Sequence, residues 1–208
     1  MWCGPIRASR SYDTAMRLVE RWTASARVQN DCHPIHPSKA MINWLYYPKS
    51  DKPTSLVISV VQAFQSVGAE INSSDHELNS NEVLAEVAPH LTKLQFKVET
   101  GKKASEKIQV PVLFGLNGKL EKSFDADAYH ETEGFVVEVE AGRAVVNNQF
   151  LKDLFQSCMM HDVFYLGIAV RNKYRGTNDF ERVARFFDAL YASNRLRLPL
   201  KGVLLIGY

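Results

Sequence analysis

Residues 124–140 read Phe-Asp-Ala-Asp-Ala-Tyr-His-Glu-Thr-Glu-Gly-Phe-Val-Val-Glu-Val-Glu, two short runs in which acids alternate with apolar side chains. Successive side chains of a strand point to opposite faces. Asp125 and Asp127 therefore share one face of the first run, and Glu138 and Glu140 share one face of the second. Placed as neighbours, the two strands bring four carboxylates within several ångströms. Unpaired, such a group repels itself at a cost of several kcal/mol. A divalent cation relieves that cost, and hard carboxylate oxygens suit Mg²⁺, with Mn²⁺ as an alternative, over Zn²⁺. The same alternation also describes the wet side of an ordinary half-exposed hairpin, so the order of the surrounding elements has to decide.

Working outward, Gln95–Glu99 and Ile108–Phe114 read as strands, and Asn117-Gly118 is a hairpin turn signal that returns the chain along 120–129. Upstream, Thr54 caps a helix over 55–67. A second helix starts near Ser80, with Val83, Leu84, Val87 and Leu91 as its apolar stripe. Downstream, a helix over 148–160 offers Phe150, Leu151, Leu154, Phe155 and Cys158 as a buried face. Val163–Val170 is a nearly unbroken apolar strand of the kind covered on both sides. A helix over 178–193 and a strand, Gly202–Gly207, complete the pattern. The expectation is an α/β fold, a mixed sheet flanked by helices.

The segment 48–54, Pro-Lys-Ser-Asp-Lys-Pro-Thr, is a polar, proline-bounded connector. It divides the chain into an N-terminal helical appendage, 1–50, and a core, 51–208. Helices are expected over 11–29 and over 38–47, the latter stopped by Pro48. Trp2, Trp22 and Trp44 would pack these helices onto the body or a second subunit.

With 208 residues, 46% hydrophobic, 23% charged and a net charge of +2, the chain has enough apolar content for a full core and too little charge for disorder. The charge is uneven: six acids and no Lys or Arg between Phe124 and Glu140, then ten Lys/Arg against five acids from Gly142 onward. An acidic spot beside a basic half is what a metal site working on a phosphate backbone needs. Arg143, and the loop residues Arg171, Lys173 and Arg175 with Tyr174, are candidates for backbone contact. Three scattered cysteines imply no disulfide framework, and no apolar stretch approaches bilayer length. The N-terminus lacks the apolar core of a signal peptide, so a cytoplasmic setting without membrane contact is expected. Cys32-His33-Pro34-Ile35-His36 lacks the second ligand pair of a zinc site, and no phosphate-loop or nucleophile-elbow pattern occurs.

The order helix–strand–strand–strand–helix–strand, with an acid on the second strand and Glu-x-Glu on the third, resembles the PD-(D/E)xK restriction-endonuclease-like superfamily over residues 55–208. The resemblance implies an αβββαβ core and Mg²⁺-dependent hydrolysis of DNA phosphodiester bonds. Asp127 matches the motif Asp, with Asp125 as the alternative register, and Glu138 matches the first acid of the pair. Glu140 stands where Lys is usual, which resembles the Bam/Bgl-type branch. Asp127 and Glu138 would bind the metal, with the Val139 carbonyl as an extra ligand, and Glu140 would orient water or help hold a second metal. Glu82 would be the supporting acid of the first core helix, with Glu77 behind it. A homodimer is expected, because cutting a duplex calls for two sites. Two other readings are a repair nuclease of the same fold and a non-catalytic DNA-binding or assembly module.

Overall fold

A computed structural model describes residues 42–208, except residues 102, 143, 146 and 147. The helix expected over 11–29, the segment Cys32–His36, Trp2, Trp22 and Arg143 lie outside the described residues. So does the first part of the helix expected over 38–47.

The central strands are the most apolar stretches of the chain. Tyr165–Val170 (β7) and Gly202–Gly207 (β8) are parallel to each other, and Phe135–Glu140 (β6) is parallel to β7. Around them the six-stranded sheet runs β1-β8-β7-β6-β5-β2, with Asn43–Tyr47 (β1), Ala128–His130 (β5) and Lys97–Val98 (β2) all antiparallel to their neighbours. Ile108–Phe114 (β3) and Leu120–Ala126 (β4) form a separate antiparallel ribbon closed by the Asn117-Gly118 turn. The architecture is a mixed α/β sheet flanked by helices.

Helices Ser55–Ser66 (α1) and Ser80–Lys93 (α2) cover one face; Gln149–Met159 (α3) and Asp179–Ser193 (α4) cover the other. Thr54 caps α1 as expected, its hydroxyl accepting from Val57 N–H at 3.3 Å. Strand β6 serves both layers. Phe135, Val137 and Val139 join the core under α1 and α2, while Val136 joins the core under α3 and α4. The even-numbered residues Glu138 and Glu140 therefore look toward α3.

The helix expected over 38–47 is not formed at its C-terminal end, where Asn43–Tyr47 pairs with β8, Trp44 opposite Ile206 and Leu45 opposite Leu205. Trp44 and Tyr46 pack into one core, Leu45 and Tyr47 into the other. A strand between two helical layers buries both sets, whereas a surface helix would bury one stripe. Residues 43–47 are thus part of the sheet. The Tyr47 hydroxyl lies 3.0 Å from the Ala184 carbonyl and 3.0 Å from Asp188 Oδ1. Tyr47→Phe should lower the unfolding free energy by about 1–2 kcal/mol, read from a denaturant midpoint at unchanged slope.

Candidate active site

The ribbon and the sheet share one run of chain, residues 120–130, and Asp127 is the residue between them. Ala126 packs under α3 and α4, Ala128 under α1 and α2. This break places Asp127 beside β6, where its Oδ2 accepts the Val139 N–H at 2.8 Å. Extending the pairing of Ala128 with Val137 by one residue sets Asp127 across from Glu138. Asp125 does not join them. It stays on the exposed ribbon opposite Gln109, because the alternation that would have aligned it with Asp127 is interrupted where the ribbon leaves the sheet.

Half-buried Glu138 and Glu140 instead meet an acid not singled out from the sequence. Asp153 of α3 is 4% exposed, within hydrogen-bonding reach of the Glu140 carboxyl, and its Oδ2 has no hydrogen-bond partner. Burial and mutual repulsion act on all of these groups. Burial, then Glu99 and Asp153, push Asp127 up to about 6, against the opposing Val139 N–H. Glu138 is held well above the ordinary carboxylate range by burial and by Asp127, Asp153 and Glu140. Burial and the Asp153 charge raise Glu140 to about 8, and burial raises Asp153 to about 6. The arrangement is one in which Glu140 keeps its proton and donates it to Asp153.

Glu99, directly after β2, is the fifth acid. Its N–H donates to the Asp127 carbonyl at 2.8 Å, and both its carboxylate oxygens accept from Lys107 Nζ at 2.7 Å. Lys107 is 26% exposed, and its charge reaches Asp125 and Asp127. Lys107→Met should destabilise the protein by about 1–3 kcal/mol, since it leaves Glu99 unpaired beside Asp127; Glu99→Gln in the same background should recover part of the loss in urea unfolding.

Glu82 is not brought into the cluster. It is the third residue of α2, and its carboxylate accepts the Asn79 N–H at 2.7 Å while Asn79 Oδ1 accepts the Glu82 N–H at 3.1 Å. This capping box occupies the carboxylate at the helix end. Glu77 lies elsewhere, on the wall of a cavity of about 480 Å³ with Arg171, Lys173, Tyr174 and Arg175.

The donors around Asp127 and Glu138 are all hard oxygens, which fits Mg²⁺ or Mn²⁺. The bare Asp153 Oδ2 and the self-repelling carboxyls also fit a missing positive charge. Among the described residues, no three acids, histidines or cysteines are arranged to hold an ion as they stand. Binding would therefore require the shared Glu140–Asp153 proton to leave and the side chains to turn. The described residues include no helix long and apolar enough to cross a membrane.

No family model matches this chain, and no curated protein matches it. Among solved structures it is similar in fold to the BglII restriction endonuclease complexed with a DNA 16-mer, at 15% sequence identity and a TM-score of 0.47, over 80% of this chain and 75% of that one.

Proposed function

We propose that the chain is a Mg²⁺-dependent endonuclease that hydrolyses DNA phosphodiester bonds. The observation carrying this reading is the convergence of Asp127, Glu138, Glu140 and Asp153 at the junction of β5, β6 and α3, charged groups packed where an unpaired carboxylate is costly. Asp127 and Glu138, with the Val139 carbonyl, would hold the cation. Bound there, Mg²⁺ supplies an acidified water and offsets charge building on the phosphate.

The residues of the chain do the rest. The Val139 N–H orients Asp127 from behind, and the Lys107–Glu99 pair fixes the potential on its outer side. Glu140 stands where a lysine would stabilise hydroxide electrostatically, and a carboxylate cannot. Once the proton it shares with Asp153 has left, the Glu140 carboxylate would instead accept the proton released by the attacking water. Arg171, Lys173 and Arg175, close past the end of β7, would contact the backbone, as would Arg143. A homodimer would cut both strands.

The non-catalytic alternative is favoured by the lack of a ready-made ion position among the described residues. Plasmid cleavage at graded Mg²⁺, with Asp127→Ala beside the wild type, separates the two. Cleavage that needs Mg²⁺ or Mn²⁺ and vanishes in Asp127→Ala is the expected result. A wild type that neither cuts nor binds Mn²⁺ defeats the enzyme reading, and one that binds DNA without cutting supports the module.

A further inference from the structure

The basic loop after β7 borders a cavity of about 480 Å³ that the carboxylate cluster does not use. Its walls carry three cations, Arg171, Lys173 and Arg175, and the hydrogen-bonding groups of Ser74 and Asn79, with Glu77 as the one acid. Among the described residues none of these cations is in an ion pair. Arg171 and Arg175 lie 5.1 and 5.2 Å from the centre of the same Tyr174 ring. One phenol thus takes both guanidiniums, and both line the same cavity, where an anion would offset their charge.

The pocket is also built, not a chance gathering of surface side chains. Arg171 is 8% exposed, is anchored by donation to the Leu78 carbonyl, and keeps a buried Nε–H without a partner. Arg175 is held in the left-handed region, φ 47°, by paired hydrogen bonds of 2.9 Å between Tyr174 and Thr177. A turn position of that kind favours glycine or asparagine, so the arginine is placed there against local preference. Ser73 ties the loop to the sheet, accepting from Lys173 N–H at 3.3 Å and donating to the Tyr208 carbonyl. The Tyr208 hydroxyl, near the Arg171 charge, donates to the Glu140 carbonyl at 3.0 Å, and Ala141 forms part of the cavity wall.

We infer that this cavity is a phosphate-binding subsite, one residue beyond the carboxylate cluster, that takes a single phosphate group of the DNA strand through Arg171, Lys173 and Arg175. It deepens the nuclease reading by naming where a second phosphate of the same strand rests. Fixed guanidinium forks match phosphate oxygens in pairs, and a phosphate held beside the reacting one sets the strand's register without reading its bases.

The full chain in EDTA, where no cutting occurs, is titrated with inorganic phosphate while the arginine Nε–H NMR signals are followed, and separately with a short duplex by fluorescence anisotropy across a salt series. Arg171→Lys identifies the relevant signal by its loss. Lys173→Ala with Arg175→Gly, two exposed positions, tests the pocket without touching the core. The expected result is a saturable shift of the Arg171 signal, about tenfold weaker in the double variant, and a salt slope for DNA reduced by about two. A shift that chloride reproduces at equal ionic strength, or that the double variant leaves unchanged, overturns the subsite. Phosphate binding lost with an unchanged DNA slope overturns the DNA assignment and identifies free phosphate as the ligand. Saturable binding by a wild type that never cuts DNA leaves the subsite standing and removes the nuclease reading, whereas cutting without phosphate binding does the reverse.

Discussion

Glu138→Gln is expected to reduce Mg²⁺-dependent cleavage by about a thousandfold or more and, in the same protein, to raise the melting temperature measured in EDTA. The two effects have one origin. Glu138 is half-buried among Asp127, Glu140 and Asp153, and its ionised form is disfavoured by burial and by each of these neighbours. Glutamine keeps the shape and cannot ionise, so the metal-free fold no longer has to hold a carboxyl against its tendency to ionise. It also removes a ligand that a cation would need, which for a group acting on the reacting phosphate costs several kcal/mol of barrier. Loss of cleavage with no gain in melting temperature would show that Glu138 is not strained in the free protein. Retained cleavage would remove it from the site. Asp127→Asn should behave similarly in activity but gain less stability, because the Val139 N–H already stabilises that carboxylate.

The second large effect is one of pH. Asp127 and Asp153 titrate near 6 and Glu140 near 8 in the folded chain, all above their ordinary values. A carboxyl raised on folding makes the native state bind more protons than the unfolded one, so its contribution is favourable at low pH and is lost as pH rises. The metal-free protein should therefore lose melting temperature between about pH 4 and pH 8, where most proteins are flat or gain. Saturating Ca²⁺ or Mg²⁺, which binds the deprotonated carboxylates, should remove or invert that slope. Calorimetry across this range in EDTA and in Ca²⁺ checks both parts. A flat metal-free profile would mean that the carboxyls are already neutralised by partners within the chain.

What the sequence made readable was mostly local. Thr54, the capped helix at Ser80, the Asn117-Gly118 turn and the alternation in 135–140 each depend on residues a few positions apart, and each stands as read. Asp153 was within reach of the same reasoning and was missed through helix phase. The expected stripe included Phe155, which is 50% exposed, while the face against the sheet is Phe150, Asp153, Leu154 and Ser157. An acid inside an apolar stripe was the available signal. Glu99 and Lys107 carried no such mark, because only the pairing of β2 with β5 and the departure of the ribbon bring them to Asp127. The tail of aromatics in 43–47 suits a strand or a helix by composition, and the empty edge of β8 decides between them.

Strand β6 has a consequence for how this chain tolerates change in length. Its odd residues seat one core and its even residues carry Glu138 and Glu140. The tight turn 131–134, closed by Gly134 at φ 60°, counts the residues that separate the two roles. One inserted residue there would exchange the faces, driving carboxylates under α1 and α2 and valines toward α3. The distant turn at Asn117-Gly118, whose neighbours Leu116 and Leu120 are exposed, carries no such count. Length variation should accumulate at the ribbon's tip and be absent from the short turn, so that fold and chemistry are inherited together through four residues that perform neither.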